Sequence, residues 1–295
     1  MWFKNLQIYR IGDWNITPVD LEEKLSKRAL QECLRMEMQS SGWIPPREGG
    51  ENFVHVLGQH MLIALGVEKK LLPANVINQQ AKERTIEIEQ QQGYKPGRKQ
   101  IKDIKESVTL ELLPRAFAQR RKTCAWIDPA GGWFVVDTPN VTKADELLEV
   151  LFKSVDNVVL KPVKTHLSPS SAMTSWLSGS DLPGSFTIDQ HCELRGRSDE
   201  KATVSYNHHV LDSEEITRHV RAGKEATKLA MTWGSKISFI LYENFQLKRI
   251  TPLDIIKEPV ETEEELFDSD FAIMTGELMQ LLPDIIDILG GEENA

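Results

Sequence analysis

The chain has 295 residues, of which 40% are hydrophobic and 27% charged, a composition typical of a globular protein with a sizeable core. Its formal net charge of −9 argues against a simple polycation that coats nucleic acid. The charge is unevenly spread, because residues 254–295 hold thirteen Asp or Glu and one basic residue, Lys257. Residues 1–253 are therefore mildly basic, at +3.

The first 75 residues are expected to combine strands with one helix. Residues 2–11 alternate between two faces and predict a strand. Thr17 can cap a helix whose apolar residues recur at a spacing of four, namely Leu21, Leu25 and Ala29. The prolines within 43–46 predict an ordered loop, and residues 53–56 and 61–67 predict two joined strands.

Two helices are expected next, one that begins at Pro73 and one that runs up to Pro114. Between them, residues 90–102 are polar and contain two glycines and a proline, which indicates an exposed connection. A hairpin over 124–137 and a helix over 142–154 follow.

In the second half, residues 164–184 are rich in Ser, Pro and Gly and give the best candidate boundary. A long helix is predicted over 213–233, a hairpin over 237–250, and an acidic helix at the C-terminal end. The predicted fold class is α+β, with antiparallel hairpins and sheets packed with helices in several lobes. We expect a central α+β lobe (1–75 plus 115–165), a helical projection (76–114) and a C-terminal α+β lobe (166–295).

The first candidate site is the basic stretch 93–123, where nine Lys or Arg face three acids and leave a charge of +6. Long cationic side chains beside glycine and proline can contact phosphates without fixed geometry. A solvated loop and helix end is the alternative interpretation. The candidate DNA contacts of this stretch are Lys95, Arg98, Lys99, Arg115, Arg120 and Arg121.

The predicted helix over 213–233 is the second candidate site. At about 100° per residue, four cations fall on or beside one arc, opposite the apolar half of the helix. Such a row can follow a phosphate backbone, although lysine-rich surface helices are also common. The four candidate contacts are Arg218, Arg221, Lys224 and Lys228.

Phe117 lies three residues after Pro114 and among arginines, which makes it a candidate for an exposed aromatic that contacts a protein or stacks on a base. A core phenylalanine is the alternative interpretation.

Enzymatic signatures are scarce in the sequence. It holds no GxxxxGK[ST] or GxGxxG loop, and the His208-His209 pair with Cys192 matches no zinc pattern. We therefore predict a protein that is not an enzyme and needs no cofactor or metal. Three isolated cysteines, no signal-peptide core at the N-terminus and no apolar span predict a cytoplasmic protein.

Several short segments, taken in order, resemble the RdgC family of bacterial recombination-associated proteins. They are Trp2-Phe3-Lys4-Asn5-Leu6, Gly42-Trp43-Ile44-Pro45-Pro46, Leu112-Leu113-Pro114-Arg115-Ala116-Phe117, Ser213-Glu214-Glu215-Ile216, Ala222-Gly223-Lys224, Thr227-Lys228-Leu229-Ala230, Leu247-Lys248-Arg249, Phe267-Asp268-Ser269-Asp270-Phe271, Met274-Thr275-Gly276-Glu277-Leu278 and Gly290-Gly291-Glu292.

The resemblance implies a homodimer closed into a ring, with duplex DNA in a positively charged hole. It also implies sequence-independent binding of single and double strands, restraint of RecA, a role in replication-fork upkeep, and association with the nucleoid. By the same resemblance, Phe117 is a dimer-interface residue and Arg115 lies near the hole. Where family members carry lysines before the SEEI segment, this chain has Asn207, His208 and His209, which puts a DNA contact there in doubt.

Three hypotheses remain open at this point. The first is a non-catalytic DNA-binding ring, whose cations gather on one inward surface while its carboxylates turn outward. The second is a metal-dependent nuclease that uses carboxylates near the C-terminus. The third is a scaffold whose acidic end binds a basic partner.

Overall fold

A computed structural model describes residues 2–197, 202–211, 214–253 and 262–293. The predicted α+β class is confirmed: twelve strands form one sheet, whose strand pairs are antiparallel, and helices pack on it. The strands are β1 (Asn5–Ile11), β2 (Gln39–Ile44), β3 (Val54–Leu57), β4 (His60–Lys70), β5 (Ala118–Asp128), β6 (Trp133–Asp137), β7 (Leu160–Pro162), β8 (Phe186–Gly196), β9 (Thr203–Asn207), β10 (Lys224–Trp233), β11 (Ile237–Tyr242) and β12 (Leu247–Pro252). The helices are α1 (Pro18–Ser26), α2 (Ala74–Gln92), α3 (Arg98–Leu112), α4 (Val141–Ser154), α5 (Pro169–Leu177), α6 (Glu214–Arg221) and α7 (Glu263–Ile288), with a 3-10 turn at Leu113–Arg115. Among these helices, none is both long and apolar enough to cross a membrane.

The sheet runs without a break in the order β2-β4-β5-β6-β1-β12-β11-β10-β8-β9, with β3 beside β4 and β7 beside β1. Strand β1 joins the two halves, because it pairs with β6 on one side and with β12 on the other. At the junction, Asn5 lies opposite Lys248 and Leu6 opposite Leu247. The expected central and C-terminal lobes thus contribute neighbouring strands to one sheet.

Alternation along the strands separates two cores. Trp133 and Val135 of β6 enter a large core, whereas Phe134 and Val136 enter a second core on the opposite face. This follows from the two-residue repeat of a strand. Helices α5, α6 and α7 pack on the large core, and α1 and α4 cover the other face of the N-terminal half.

Helix α7 contributes to packing in both halves of the sheet. Phe271 is fully buried beside His55 of β3, with ring centroids 5.8 Å apart. Further along, the Asp284 carboxylate accepts a 2.7 Å hydrogen bond from the Trp233 indole of β10. The candidate boundary 164–184 carries α5, whose Met173 is buried in the same core.

Most local predictions are confirmed. Thr17 caps α1 by accepting a hydrogen bond from the Asp20 amide, and Leu21 and Leu25 are buried. Ala29 lies beyond the end of that helix and forms a bridge to Trp43. The predicted hairpins correspond to β3–β4, β5–β6 and β11–β12, and the helix over 142–154 corresponds to α4.

The loop predicted over 43–46 is wrong in its first half. Trp43 and Ile44 belong to β2, where Trp43 pairs with Leu65 of β4. The prolines that suggested a loop follow the strand and end it, since a proline cannot donate to a ladder.

The long helix predicted over 213–233 is also wrong. Its proposed cap, Ser213, lies outside the described residues, and α6 ends at Arg221. Gly223, at φ 85°, turns the chain out of the helix, and its N–H donates to the Val220 carbonyl. Strand β10 then begins at Lys224 and pairs with both β8 and β11.

The projection consists of α2 and α3, which leave the sheet after β4 and return to β5. Their shared core is small, built from Ala81, Ile104 and Val108. An ion pair of 2.6 Å between Arg84 and Glu111 also joins the two helices. Since α3 has 15 residues, the far end of the projection lies about 22 Å from its base.

Candidate nucleic-acid interface

The far end of the projection, which we call the tip, comprises residues 93–99. Gly93 ends α2 in the left-handed region at φ 79°, and Gly97 precedes α3. Lys95, Arg98 and Lys99 are exposed, and within the described ranges no carboxylate lies within ion-pair distance of them. The three candidate cations therefore share one protruding end, with their charges directed to solvent.

The base of the projection carries Arg115 and Phe117. Arg115 is exposed in the 3-10 turn, and the side chain of Phe117 is 84% exposed, which agrees with the first of the two interpretations left open by the sequence. Its backbone is ordered, because the Leu71 amide donates a 2.7 Å hydrogen bond to the Phe117 carbonyl. Leu71 is itself 49% exposed, so the two residues present apolar surface where β4 ends and β5 begins.

Arg120 and Arg121 lie on β5 and have carboxylate partners. Arg120 donates to Glu68 of β4 at 2.5 Å, and Arg121 pairs with Glu146 of α4. A backbone N–H from Cys33 and the Arg120 guanidinium lower the pKa of Glu68, so that carboxylate stays charged near neutral pH. These two arginines offer less free charge than the tip cations, because much of their field is compensated locally.

Arg218 and Arg221 form the third group, on the exposed side of α6. Ile216, which is fully buried, fixes the helix to the sheet. The two arginines line an open groove of about 1020 Å³, together with Trp176 and Val210. Three residues apart on a helix, their side chains leave it about 60° apart and can contact successive phosphates.

Lys224 and Lys228 do not share that arc, because both belong to β10. The Lys224 ammonium lies 3.0 Å from Nδ1 of His219. Lys228 pairs with Glu193 at 2.6 Å and lies 5.5 Å from the ring centroid of Tyr242. The helical row predicted from the sequence therefore splits into an arginine pair on α6 and two lysines on a strand.

Lys248 and Tyr94 lie near the predicted cations but were not predicted from the sequence as candidate contacts. The Lys248 ammonium lies 4.4 Å from the Tyr242 ring centroid, and burial, together with the nearby Lys228 charge, lowers the pKa of Lys248. No local pattern marks it, since its neighbours come from another strand. Tyr94 is 65% exposed at the tip, and its position between Gly93 and Lys95 was a usable signal.

The ten predicted cations thus form three separate groups on the chain. They lie at the tip, around the start of β5, and on α6 with β10. Strands β5 and β10 are five neighbours apart in the sheet, which corresponds to about 24 Å. A single continuous contact surface would need either a bent path of DNA or a second subunit.

Cys124, His208 and His209 are the nucleophilic or metal-ligating side chains nearest to a catalytic pattern in the sequence. Cys124 is buried, and burial raises its pKa to about 12, which disfavours the nucleophilic thiolate. His208 and His209 follow the end of β9 rather than lying on it, and His208 has φ 53°. Across the described ranges, no three His, Cys, Asp or Glu side chains are grouped so that they could hold a metal ion.

Comparison with known proteins gives a consistent result. A family model described as "RdgC: Putative exonuclease, RdgC" matches residues 1–292. A protein of Janthinobacterium sp. (strain Marseille), named recombination-associated protein RdgC, is 52% identical over 297 residues, covering 99% of each chain. Proteins with the same name are 51% identical in Herminiimonas arsenicoxydans, over 99% of each chain, and 48% identical in Cupriavidus necator, over the whole of both chains. With a match that spans nearly every residue, this chain belongs to the RdgC family of recombination-associated proteins.

Proposed function

We propose that this protein binds DNA without reading its sequence, closes around duplex DNA as a ring-shaped homodimer, and limits the access of RecA to that DNA. Membership of the RdgC family supports a role in recombination. The observation that carries the proposal of DNA binding is the tip, where Lys95, Arg98 and Lys99 are exposed together. Unpaired cations on a protruding element attract phosphates of any sequence.

The acidic net charge is compatible with this function, because DNA responds to the local field. Much of the acidic charge lies at the C-terminal end, and part of it is already used within the fold. Glu264 pairs with Arg47, Glu277 with Lys236 at 3.0 Å, and Glu292 with Arg10 at 2.7 Å. Arg218, Arg221 and the tip cations remain available to an anionic ligand.

Ring closure is supported by the surface around Phe117. A phenylalanine side chain exposed to 84% beside a half-exposed Leu71 is stabilised when a partner covers it. In a twofold dimer the same surface is used by both subunits, and the dimer carries two copies of each group of cations. The three separated groups of cations would then lie around a common DNA axis.

A nuclease is the second candidate, because the matching family model is described as an exonuclease. We propose binding without catalysis as the function of this chain. Incubation of linear and circular plasmid with the purified protein and Mg²⁺ separates the two candidates. If linear DNA is shortened, and replacement of one carboxylate abolishes this activity, the protein is a nuclease and our proposal is overturned.

The ring itself is tested by topology. The protein is loaded on circular and on linear plasmid, and retained DNA is measured after a wash at high salt. A closed ring is expected to stay on circular DNA and to slide off linear DNA, whereas contacts without enclosure are lost equally from both. Equal loss from the two templates would refute enclosure. Binding of unrelated duplexes with the same affinity and a steep salt dependence is expected throughout.

A further inference from the structure

The tip carries an aromatic side chain among its cations. Tyr94 is 65% exposed and lies directly before Lys95. Single exposed aromatic side chains are common on protein surfaces, so exposure alone does not mark a site. What distinguishes Tyr94 is that its neighbours Lys95, Arg98 and Lys99 are also directed to solvent.

The turn that presents Tyr94 is held by hydrogen bonds. The Gln92 side-chain amide donates to the Tyr94 carbonyl at 2.9 Å, and the Gln100 amide donates to Gln92 Oε1 at 3.2 Å. Gly93 supplies the left-handed turn, and Pro96 is buried beneath the loop. The backbone of Tyr94 is therefore fixed before any ligand arrives, which lowers the entropy lost on binding.

Charge decides which partner fits this surface. A twofold contact between two tips would place Lys95, Arg98 and Lys99 of one copy against the same residues of the other. Like charges brought together in this way oppose association, whereas a polyanion is attracted. A direct contact between two tips is therefore disfavoured, whereas nucleic acid complements the charge of this surface.

The aromatic ring adds a preference among nucleic acids. Phosphate contacts from the three cations are available to single and double strands alike. A tyrosine face can stack only on a base whose own face is free, and bases inside a duplex are already stacked. A ring beside a row of cations is the arrangement by which proteins hold unpaired strands.

Resting on the proposed function, we infer that Tyr94 is a stacking site for an unpaired base, so that the tip contacts single-stranded DNA more strongly than its cations alone would. The ligand class is a single strand, or an unpaired base at an end or a junction. Duplex DNA contacts the same cations without the stacking.

The test compares a labelled oligothymidylate with a duplex of equal length by fluorescence anisotropy at one salt concentration. Tyr94→Ala is expected to weaken binding of the single strand on the order of 5- to 100-fold, the range found for loss of one base–aromatic stack. Duplex affinity should change by less than about twofold, and Tyr94→Phe should retain the single-strand affinity, because the ring suffices for stacking. Phe152→Ala, at a 46% exposed aromatic position on α4, is the matched control and should change neither affinity.

A second measurement locates the contact directly. Ultraviolet cross-linking of a bromodeoxyuridine-substituted single strand, followed by peptide mapping, is expected to mark Tyr94. An unchanged single-strand affinity in Tyr94→Ala, or an equal loss on single strand and duplex, would overturn the stacking site. A weaker dimer in sedimentation, without a change in single-strand affinity, would also overturn it and assign Tyr94 to a subunit contact.

A charge variant separates this inference from the proposed function. Combined Lys95→Gln, Arg98→Gln and Lys99→Gln substitutions should weaken binding of both DNA forms. If that variant loses affinity while Tyr94→Ala does not, the stacking site is wrong and the proposed function stands. If the unaltered protein binds neither form, the proposed function itself fails.

Discussion

Replacement of Phe117 by serine tests the proposal that this side chain lies in a subunit interface and contributes little to the fold of the single chain. Since the side chain is 84% exposed, the isolated subunit gains little from it, and its free energy of unfolding should change by less than about 0.5 kcal/mol. Full burial of a phenylalanine is worth about 1.5–3 kcal/mol. A twofold interface buries it twice, which gives about 3–6 kcal/mol of dimerisation free energy.

Such a loss corresponds to a dimer dissociation constant raised by roughly 10²- to 10⁴-fold, at about 1.4 kcal/mol for each factor of ten. Sedimentation equilibrium over a concentration series measures this constant, and urea unfolding of the dilute protein measures the stability of the subunit. Phe152→Ser is the matched control, because Phe152 is also an exposed phenylalanine, at 46%, but lies on α4. A Phe117→Ser protein with the dissociation constant of the unaltered dimer would refute the assignment of this residue to the subunit interface.

Three further outcomes are expected. Arg218→Ala with Arg221→Ala should reduce the slope of log K against log salt by about 1.8 for duplex DNA, because two phosphate contacts are lost; an unchanged slope would remove α6 from the interface. Phe271→Ala should lower the free energy of unfolding in urea by about 3–5 kcal/mol and keep a single transition, because this fully buried ring belongs to the core that both halves share. Met279→Ala is the control on the same helix; its side chain is 41% exposed, and the loss should be under about 0.5 kcal/mol. Burial raises the pKa of Asp137 above its ordinary 3.8, so the charged carboxylate destabilises the folded state as the pH rises through the raised pKa. The stability of Asp137→Asn relative to the unaltered protein should therefore increase between pH 4 and pH 7. A difference in free energy of unfolding that decreases with pH would contradict this account.

Features that depend on near neighbours in the chain can be predicted from local sequence. Thr17 identifies the start of α1 because a cap bonds within one turn of its helix. The hairpin β5–β6 is predictable because all its turn residues lie within 128–132 and include two glycines. The structure shows why glycine is needed there: a Cβ on Gly131 would lie 2.3 Å from an Asp128 carboxylate oxygen, and Gly132 takes φ 71°. The exposure of Phe117, in contrast, was one of two interpretations that the sequence left open, and the structure decides for it.

Which cations are free depends on contacts between strands that are distant in the chain. Arg120 belongs to the same basic stretch, 93–123, as the tip residues, yet it pairs with Glu68 of β4, which is 52 residues away in the chain. Spacing within the run contains no information about a partner from another strand. A charge count therefore overstated the free positive charge near the start of β5.

The conformation of residues 224–233 likewise depends on partners that are distant in the chain. Their small, apolar and cationic residues fit a helical arc as well as they fit a strand, and the glycine at 223 was the one local sign that the helix ends. Strands β8 and β11, distant in sequence, supply the backbone partners that make β10 a strand. Local propensity differs by under about 1 kcal/mol per residue, so pairing on both edges and burial of Leu229 and Met231 outweigh it.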